Sequence, residues 1–226
     1  MNLFDKKIDS WIFDLDNTLY SADDGIFEQV HILMGKFISK HLNLDIKEAK
    51  KMQNKYFKEH GTTLRGLMDN HGIEPDTFLD EVHRLDYSIV KPNYELAENL
   101  KKINGKKFIF TNANKQHTDN VLERLKIANL FDGIFDIKMA NYIPKPQIES
   151  YEKFIETYKI NPKKTIMFDD IAKNLVSAYK VGFKTVWINV GYENISDDIA
   201  SSKKFLNYET SDVSNWLNSF NMEQYE

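Results

Sequence analysis

Residues 8–20 read Ile-Asp-Ser-Trp-Ile-Phe-Asp-Leu-Asp-Asn-Thr-Leu-Tyr, so two aspartates, Asp14 and Asp16, follow directly on a short apolar run. Ile, Phe and Trp favour strands, whereas Asp and Asn are depleted from them. Ile8–Phe13 is therefore expected as a buried strand ending at Asp14. Carboxylates two residues apart on an extended segment point to the same side. Two like charges held together raise the cost of ionising either one unless a cation lies between them. A polar turn closing a strand also uses Asp and Asn, for their local hydrogen bonds. So short a motif is weak alone, and the rest of the chain decides its meaning.

With 226 residues the chain has room for one well-cored domain, or for a domain carrying a smaller insert. At 42% hydrophobic and 28% charged, with five prolines and nine glycines, it is neither collagen-like nor low-complexity. No apolar stretch approaches the ~20 residues that span a bilayer. The opening MNLFDKKIDS lacks a secretory signal pattern. With no cysteine there is no disulfide framework and no cysteine metal site, and the cytoplasm is the expected compartment. Net charge is −4, with Lys and Glu interspersed. That pattern gives no footprint for a nucleic-acid polymer, and neither such a polymer nor a membrane is expected as partner. A small phosphorylated metabolite needs only local cations.

Four apolar segments read as buried strands: Ile8–Phe13, Lys107–Phe110, Thr165–Phe168 and Thr185–Ile188, with a weaker fifth at Ile134–Ile137. Helical patterns over Gln116–Lys126, Gln147–Tyr158 and Ala172–Val181 separate most of them. Alternation of this kind predicts parallel strand–helix–strand units in an open α/β sheet, a Rossmann-like core. Between about Thr18 and Ser88 the rhythm breaks. Ile26, Val30, Leu33 and Phe37 recur at helical spacing, as do Ile46, Ala49, Met52 and Tyr56. The segment HGTTLRGLMDNHG interrupts with three glycines, and Glu74-Pro75-Asp76 opens another helix. The expected division is a core of residues 1–17 and 90–226 with a helical cap, 18–89, inserted after the first strand. The tail Ser211–Phe220 is expected as an amphipathic helix, with Trp216, Leu217 and Phe220 in the core.

Four polar stations fall at strand ends on one edge of this sheet, where ligands bind in open parallel sheets. They are Asp14-Leu15-Asp16-Asn17-Thr18, Thr111-Asn112 after Phe110, Lys145 between Pro144 and Pro146, and Asp169-Asp170 with Asn174 four residues beyond. The two proline rings present Lys145 from a stiff loop. This inventory fits phosphoryl transfer to water. One carboxylate attacks phosphorus and forms an aspartyl phosphate. A second protonates the leaving oxygen and later takes a proton from water. Mg²⁺ held by carboxylates and a carbonyl neutralises the charge, while a lysine and a hydroxyl hold phosphoryl oxygens. Each station alone has a plainer reading as a helix cap or a solvated loop residue. The six histidines show no ligand pair and are expected at the surface or in packing.

On these residues the chain resembles the haloacid dehalogenase-like hydrolase superfamily. DLDNT matches its first motif, which implies Asp14 as nucleophile and Asp16 as acid/base. Thr111 and Lys145 match the second and third motifs, and FDDIAKN the acidic fourth. The resemblance implies Mg²⁺ held by Asp14, the backbone carbonyl of Asp16, and Asp170, with Asp169 and Asn174 one layer behind. It spans nearly the whole chain, and the helical insert corresponds to the family's first type of cap. Members that remove halide from carbon lack a carboxylate at the place of Asp16, so its presence points to a phosphatase.

The four motifs handle phosphate and are silent about the rest of the substrate. Asn17 in DNTLY, the TNA at 111–113 and the segment EHGTTLRGLM look like the pyrimidine 5′-nucleotidase branch, which prefers UMP and CMP. The expected substrate contacts are Asn112, Thr62, Thr63 and Arg65. Gly61-Thr62 could equally be only a helix cap, and Arg65 a surface cation. A sugar-phosphate or phosphoglycolate phosphatase would use the same stations under a different cap. A non-catalytic binding protein on this fold would be expected to have lost a station, and none is missing.

Overall fold

The protein is described from a computed structural model covering residues 8–21, 24–189, 191 and 199–223. Six parallel strands form one sheet: β1 (Ser10–Phe13), β2 (Lys106–Phe110), β3 (Gly133–Phe135), β4 (Thr165–Asp169), β5 (Lys184–Ile188) and β6 (Tyr208–Thr210), in the order β3-β2-β1-β4-β5-β6. This is the α/β, Rossmann-like core expected. The strand order reverses at β1, so β1 and β4 are neighbours although far apart in sequence, and the crevice beyond their carboxyl ends is a natural site.

Why β1 is central follows from its side chains. All four of its residues are buried. Successive residues face opposite sides of a strand, so a strand covered on both faces must be apolar throughout. Trp11 and Phe13 join one core layer together with Ile109, Ile166, Phe168, Val186 and Ile188. Ile12 joins the other, with Phe108, Phe110, Met167 and Trp187. In register, Phe13 lies opposite Ile109 on one side and Phe168 on the other. The amide of Asp14 continues the ladder by donating to Phe168 O at 2.9 Å, which carries the β1 geometry into the first polar residue.

Helices cover both faces: α5 (Tyr94–Lys102), α6 (Lys115–Leu125), α7 (Ile148–Tyr158), α8 (Ala172–Lys180), the short α9 (Ile199–Ser202) and α10 (Val213–Glu223). The tail helix packs as its pattern predicts. Leu217 and Phe220 are buried, and Trp11 meets the ring of Phe220 edge-on at 5.0 Å between centroids. The expected strand at Ile134–Ile137 is shorter and ends at Phe135. Ile137 instead turns away and packs with the helices inserted after β1.

Those helices are α1 (Ile26–Leu42), α2 (Ile46–His60), α3 (Thr63–His71) and α4 (Pro75–Val82). They bury Phe37, Ile38, Ala49, Tyr56, Leu64, Leu67, Phe78, Leu79 and Val82 in a core of their own. Asp45 caps α2 by accepting from Lys47 N and Glu48 N, Thr62 caps α3, and Pro75 opens α4 where its missing N–H costs nothing. The insert leans on the sheet domain at several points. Asp76 meets Lys138 at 2.9 Å and Tyr142 at 2.8 Å. Gly61, between α2 and α3, sits against the loop carrying Lys145 and Pro146. No helix among the described residues is long and apolar enough to cross a membrane.

Candidate active site

The four stations named from sequence converge at the carboxyl ends of β1, β2 and β4. Lys145 is the hub. Its Nζ lies 2.7 Å from Asp14 Oδ1 and 2.7 Å from Asp169 Oδ2, and its side chain is 1% exposed. Burial alone would push an ammonium's pKa down, but Asp14 and Asp169 reverse that, and Lys145 is raised above its ordinary value. Asn112 fixes the loop: its Nδ2 donates to Lys145 O at 3.1 Å, and its Oδ1 accepts from Lys145 N at 2.8 Å. Expected to meet substrate, Asn112 has both ends of its amide committed to the lysine's backbone.

Asp14, Asp169 and Asp170 each bring a carboxylate oxygen into a group lying within 4.8 Å. One ammonium cannot balance three carboxylates crowded together in a largely buried site. Asp14 is accordingly pushed up to about 7, chiefly by burial, with Asp169 and Asp16 adding to it and Lys145 opposing. Asp170 is pushed well up by burial and then by Asp14 and Asp169. The two adjacent aspartates differ in what holds them. Asp169 is wholly buried and accepts from Lys145, from Ile171 N at 2.9 Å and from Asn174 Nδ2 at 2.9 and 3.1 Å. Asn174 is itself held through its backbone carbonyl by Tyr151 OH at 2.8 Å. Among the described residues the Asp170 carboxylate has one long bond, from Asn17 Nδ2 at 3.4 Å, and so retains oxygen lone pairs to offer. All-oxygen donors of surplus negative charge suit a hard divalent cation such as Mg²⁺, and the residues present fit that ion.

Asp16 has partners of its own. Its Oδ1 accepts from Tyr20 OH and lies 2.7 Å from His117 Nε2. Burial would raise its carboxyl, but His117 and then Tyr20 outweigh it, and Asp16 is held below the usual value. Thr111 is buried and its Oγ1 accepts from Ala113 N at 3.0 Å, which leaves the hydroxyl proton to donate. Thr18 Oγ1 donates to Asp14 Oδ2 at 3.3 Å.

Sequence reasoning missed His117 and Tyr20. Histidines were expected only at the surface or in packing, yet His117 is fully buried and bonded to an acidic residue of the site. Its ring reaches there because Asn114 caps α6 through His117 N, setting the residue in the first turn beside the end of β2. Of the insert residues, Thr62 Oγ1 accepts from Arg65 N at 3.1 Å as a helix cap. Thr63 is buried and donates to Gln53 O at 3.2 Å. Arg65 Nε pairs with Asp69 at 3.0 Å, at a partly exposed position.

Residues 11–188 match the haloacid dehalogenase-like hydrolase family. The chain belongs to this family. Among curated relatives, phosphate metabolism protein 8 of Saccharomyces cerevisiae is 32% identical over 194 residues, covering 76% of this chain. The chain spans only 59% of that relative's length. Pyrophosphatase PpaX of Bacillus mycoides is 24% identical over 186 residues, covering 81% of this chain and 84% of its own. Among solved structures, the magnesium-bound putative hydrolase YfnB of Bacillus subtilis superposes with a TM-score of 0.62 at 18% identity, over 96% of this chain and 100% of its own. Similarity at that level speaks for the fold.

Proposed function

We propose that this hydrolase is a phosphatase acting on small phosphomonoesters, with Asp14 as nucleophile and Asp16 as acid/base. The observation that carries the reading is Lys145, buried and bridging Asp14 to Asp169 beside Asp170. A lysine so placed balances an attacking carboxylate and can hold an anionic phosphoryl oxygen. Asp14, Asp170 and the backbone carbonyl of Asp16 would hold Mg²⁺, which supplies charge neutralisation for the carboxylates and the ester.

In this reading Asp14 attacks phosphorus, and the bond to the ester oxygen breaks as Asp16 gives that oxygen a proton. Water then attacks the aspartyl phosphate, its proton passes to Asp16, and Asp14 and phosphate are released. In the free enzyme His117 and Tyr20 keep Asp16 ionised, the form that accepts a proton. An anionic ester nearby opposes that ionisation and brings Asp16 toward the protonated form needed for the first step. Thr111 donates its hydroxyl to a phosphoryl oxygen. The four-helix insert serves as the cap that shields the site from water.

Pyrimidine nucleoside monophosphates stand first as substrates, on the likeness of Asn17, TNA at 111–113 and the Glu59–Met68 segment to that branch. Thr62 and Thr63 already have roles in the insert's own fold, whereas Arg65 is tied to Asp69 through Nε and has its terminal amino groups to read a nucleoside. The test is a panel of phosphate esters compared by kcat/KM with Mg²⁺ present. A preference for UMP or CMP supports the nucleotidase; a preference for sugar phosphates assigns the same chemistry to a different metabolite. If Arg65 reads the nucleoside, Arg65→Ala lowers kcat/KM for UMP by roughly ten- to a hundredfold and spares nitrophenyl phosphate.

A further inference from the structure

His117 lies outside the motifs, yet three parts of the chain converge on it. Nε2 meets Asp16 Oδ1 at 2.7 Å, and Tyr20 OH donates to the same oxygen. Among the described residues no hydrogen bond falls on Asp16 Oδ2. His117's side chain is 1% exposed while that of Asp16 is 24% exposed, so access to the pair is from the aspartate's side. Nδ1 of His117 meets Tyr87 OH at 3.0 Å, and the ring stacks on His83 at 4.6 Å between centroids, 24° from parallel. Tyr87 OH also donates to His83 O at 3.2 Å. His83 ends α4, and Tyr87 lies in the turn Tyr87–Ile89 that leads from the insert back toward the sheet. Burial first and His117 second push His83 down to about 3. A neutral ring can therefore stack on His117 without adding charge beside Asp16.

We propose that His117 is a positioning residue for Asp16: with Tyr20 it anchors Oδ1, leaving Oδ2 as the oxygen that exchanges the proton, while Tyr87 and His83 hold His117 from the insert's return connection. This rests on the reading of Asp16 as acid/base. The physical case is that the terminal torsion of an aspartate is broad and roughly two-fold. Two donors on one oxygen remove that freedom and present one lone-pair edge to the ester. General acid–base efficiency depends on such geometry. Because the anchor is itself bonded to Tyr87 and stacked on His83, the seating of the insert and the aim of Asp16 are mechanically joined.

The test uses the leaving group as its readout. The full chain, with Mg²⁺, is assayed on 4-nitrophenyl phosphate, whose leaving group departs without protonation, and on glycerol 2-phosphate, whose alkoxide must be protonated. His117→Ala is expected to lower kcat/KM, which reports the steps up to leaving-group release, by roughly ten- to a hundredfold on glycerol 2-phosphate and by less than about threefold on nitrophenyl phosphate. His117→Gln, whose amide can still donate to Oδ1, recovers most of the loss. The double variant Asp16→Asn/His117→Ala is no slower than Asp16→Asn. Equal losses on both esters, or losses that multiply in the double variant, overturn the proposal. Should His117→Ala fail to fold, His117→Gln and Tyr87→Phe carry the test. Tyr87→Phe is expected to give a several-fold, leaving-group-selective loss, and a loss equal on both esters overturns the anchor. If Asp16→Asn is itself indifferent to the leaving group, the acid/base reading fails and the anchor with it. If Asp16→Asn is selective and His117→Ala is not, the anchor alone is wrong.

Discussion

Lys145 and Asp14 form a buried ion pair, Nζ to Oδ1 at 2.7 Å, and the same ammonium reaches Asp169 at an equal distance. Asn112 holds the lysine from its backbone, and Asn174 holds Asp169 from its far side. The proposed nucleophile is thus tied through one cation to Asp169 and Asn174, whose backbone carbonyl accepts from Tyr151 OH. A buried charge left without its partner is costly, so each link can be tested by removing it.

Lys145→Met keeps the stem's volume and removes the charge. It is expected to abolish turnover and to lower stability by about 3–5 kcal/mol at neutral pH, since two buried carboxylates lose their counter-charge. Lys145 holds the Asp14 carboxyl down, so without it the folded-state pKa of Asp14 rises further, and the deficit is present at high pH and shrinks as pH falls and the group takes up a proton. Thermal unfolding at pH 5 and pH 8 checks this. An equal deficit at both would mean that packing, not charge, sets the cost.

Asp14→Asn separates chemistry from stability. The amide is a very poor nucleophile, and kcat should fall by roughly 10³ or more. The metal-free protein should be no less stable than the parent, because one of three crowded carboxylates is gone while Lys145 keeps Asp169. A folded variant with undiminished turnover contradicts the nucleophile assignment. A stability loss matching Lys145→Met contradicts the electrostatic account.

Metal and pH should act together. Asp14 titrates near the usual 3.8 in the unfolded chain but is pushed up to about 7 in the metal-free fold. The folded state therefore holds the extra proton, and stability from this group is full below about 3.8 and lost as pH rises through about 7. A cation that binds the ionised carboxylates offsets that loss, so the rise in Tm caused by Mg²⁺ should be larger at pH 8 than at pH 5. Asp170→Ala should reduce the Mg²⁺-induced rise more than Asn174→Ala does, since Asp170 keeps uncommitted lone pairs. A Mg²⁺ effect independent of pH would remove Asp14 from the ion's ligands.

How much of this was legible depended on range. β1, β2, β4 and β5 could be read because a strand covered on both faces must be apolar throughout, and the polar residues at their ends stood out by contrast. β6 could not: it is a three-residue edge strand, Tyr-Glu-Thr, with its centre exposed, and nothing in its composition demands a sheet. The motif residues were legible since their order follows the strands. His117 was not, because its partner Asp16 lies 101 residues away and no short spacing records the contact. Asn112 was seen as a site residue but its task was not, since the lysine backbone it clamps is 33 residues on.

The join between insert and sheet can be tested at Gly61. This residue ends α2 at φ +83°, and a Cβ built there would lie 3.2 Å from Pro146 Cδ and 3.4 Å from Lys145 O. Gly72 ends α3 at φ +62° with nothing within 4 Å of such a Cβ. Both substitutions to alanine carry the left-handed backbone cost, about 1–2 kcal/mol. Only Gly61→Ala also presses on the loop that presents Lys145, and side chains flanked by prolines have little room to yield. Small misplacements of a catalytic group are expensive in rate, so Gly61→Ala should lower kcat by about three- to tenfold on every ester, nitrophenyl phosphate included. Gly72→Ala should lose similar stability and keep its kcat. If the two variants behave alike in both measurements, the Gly61 contact does not bear on Lys145, and the insert acts on the site only through His83 and Tyr87.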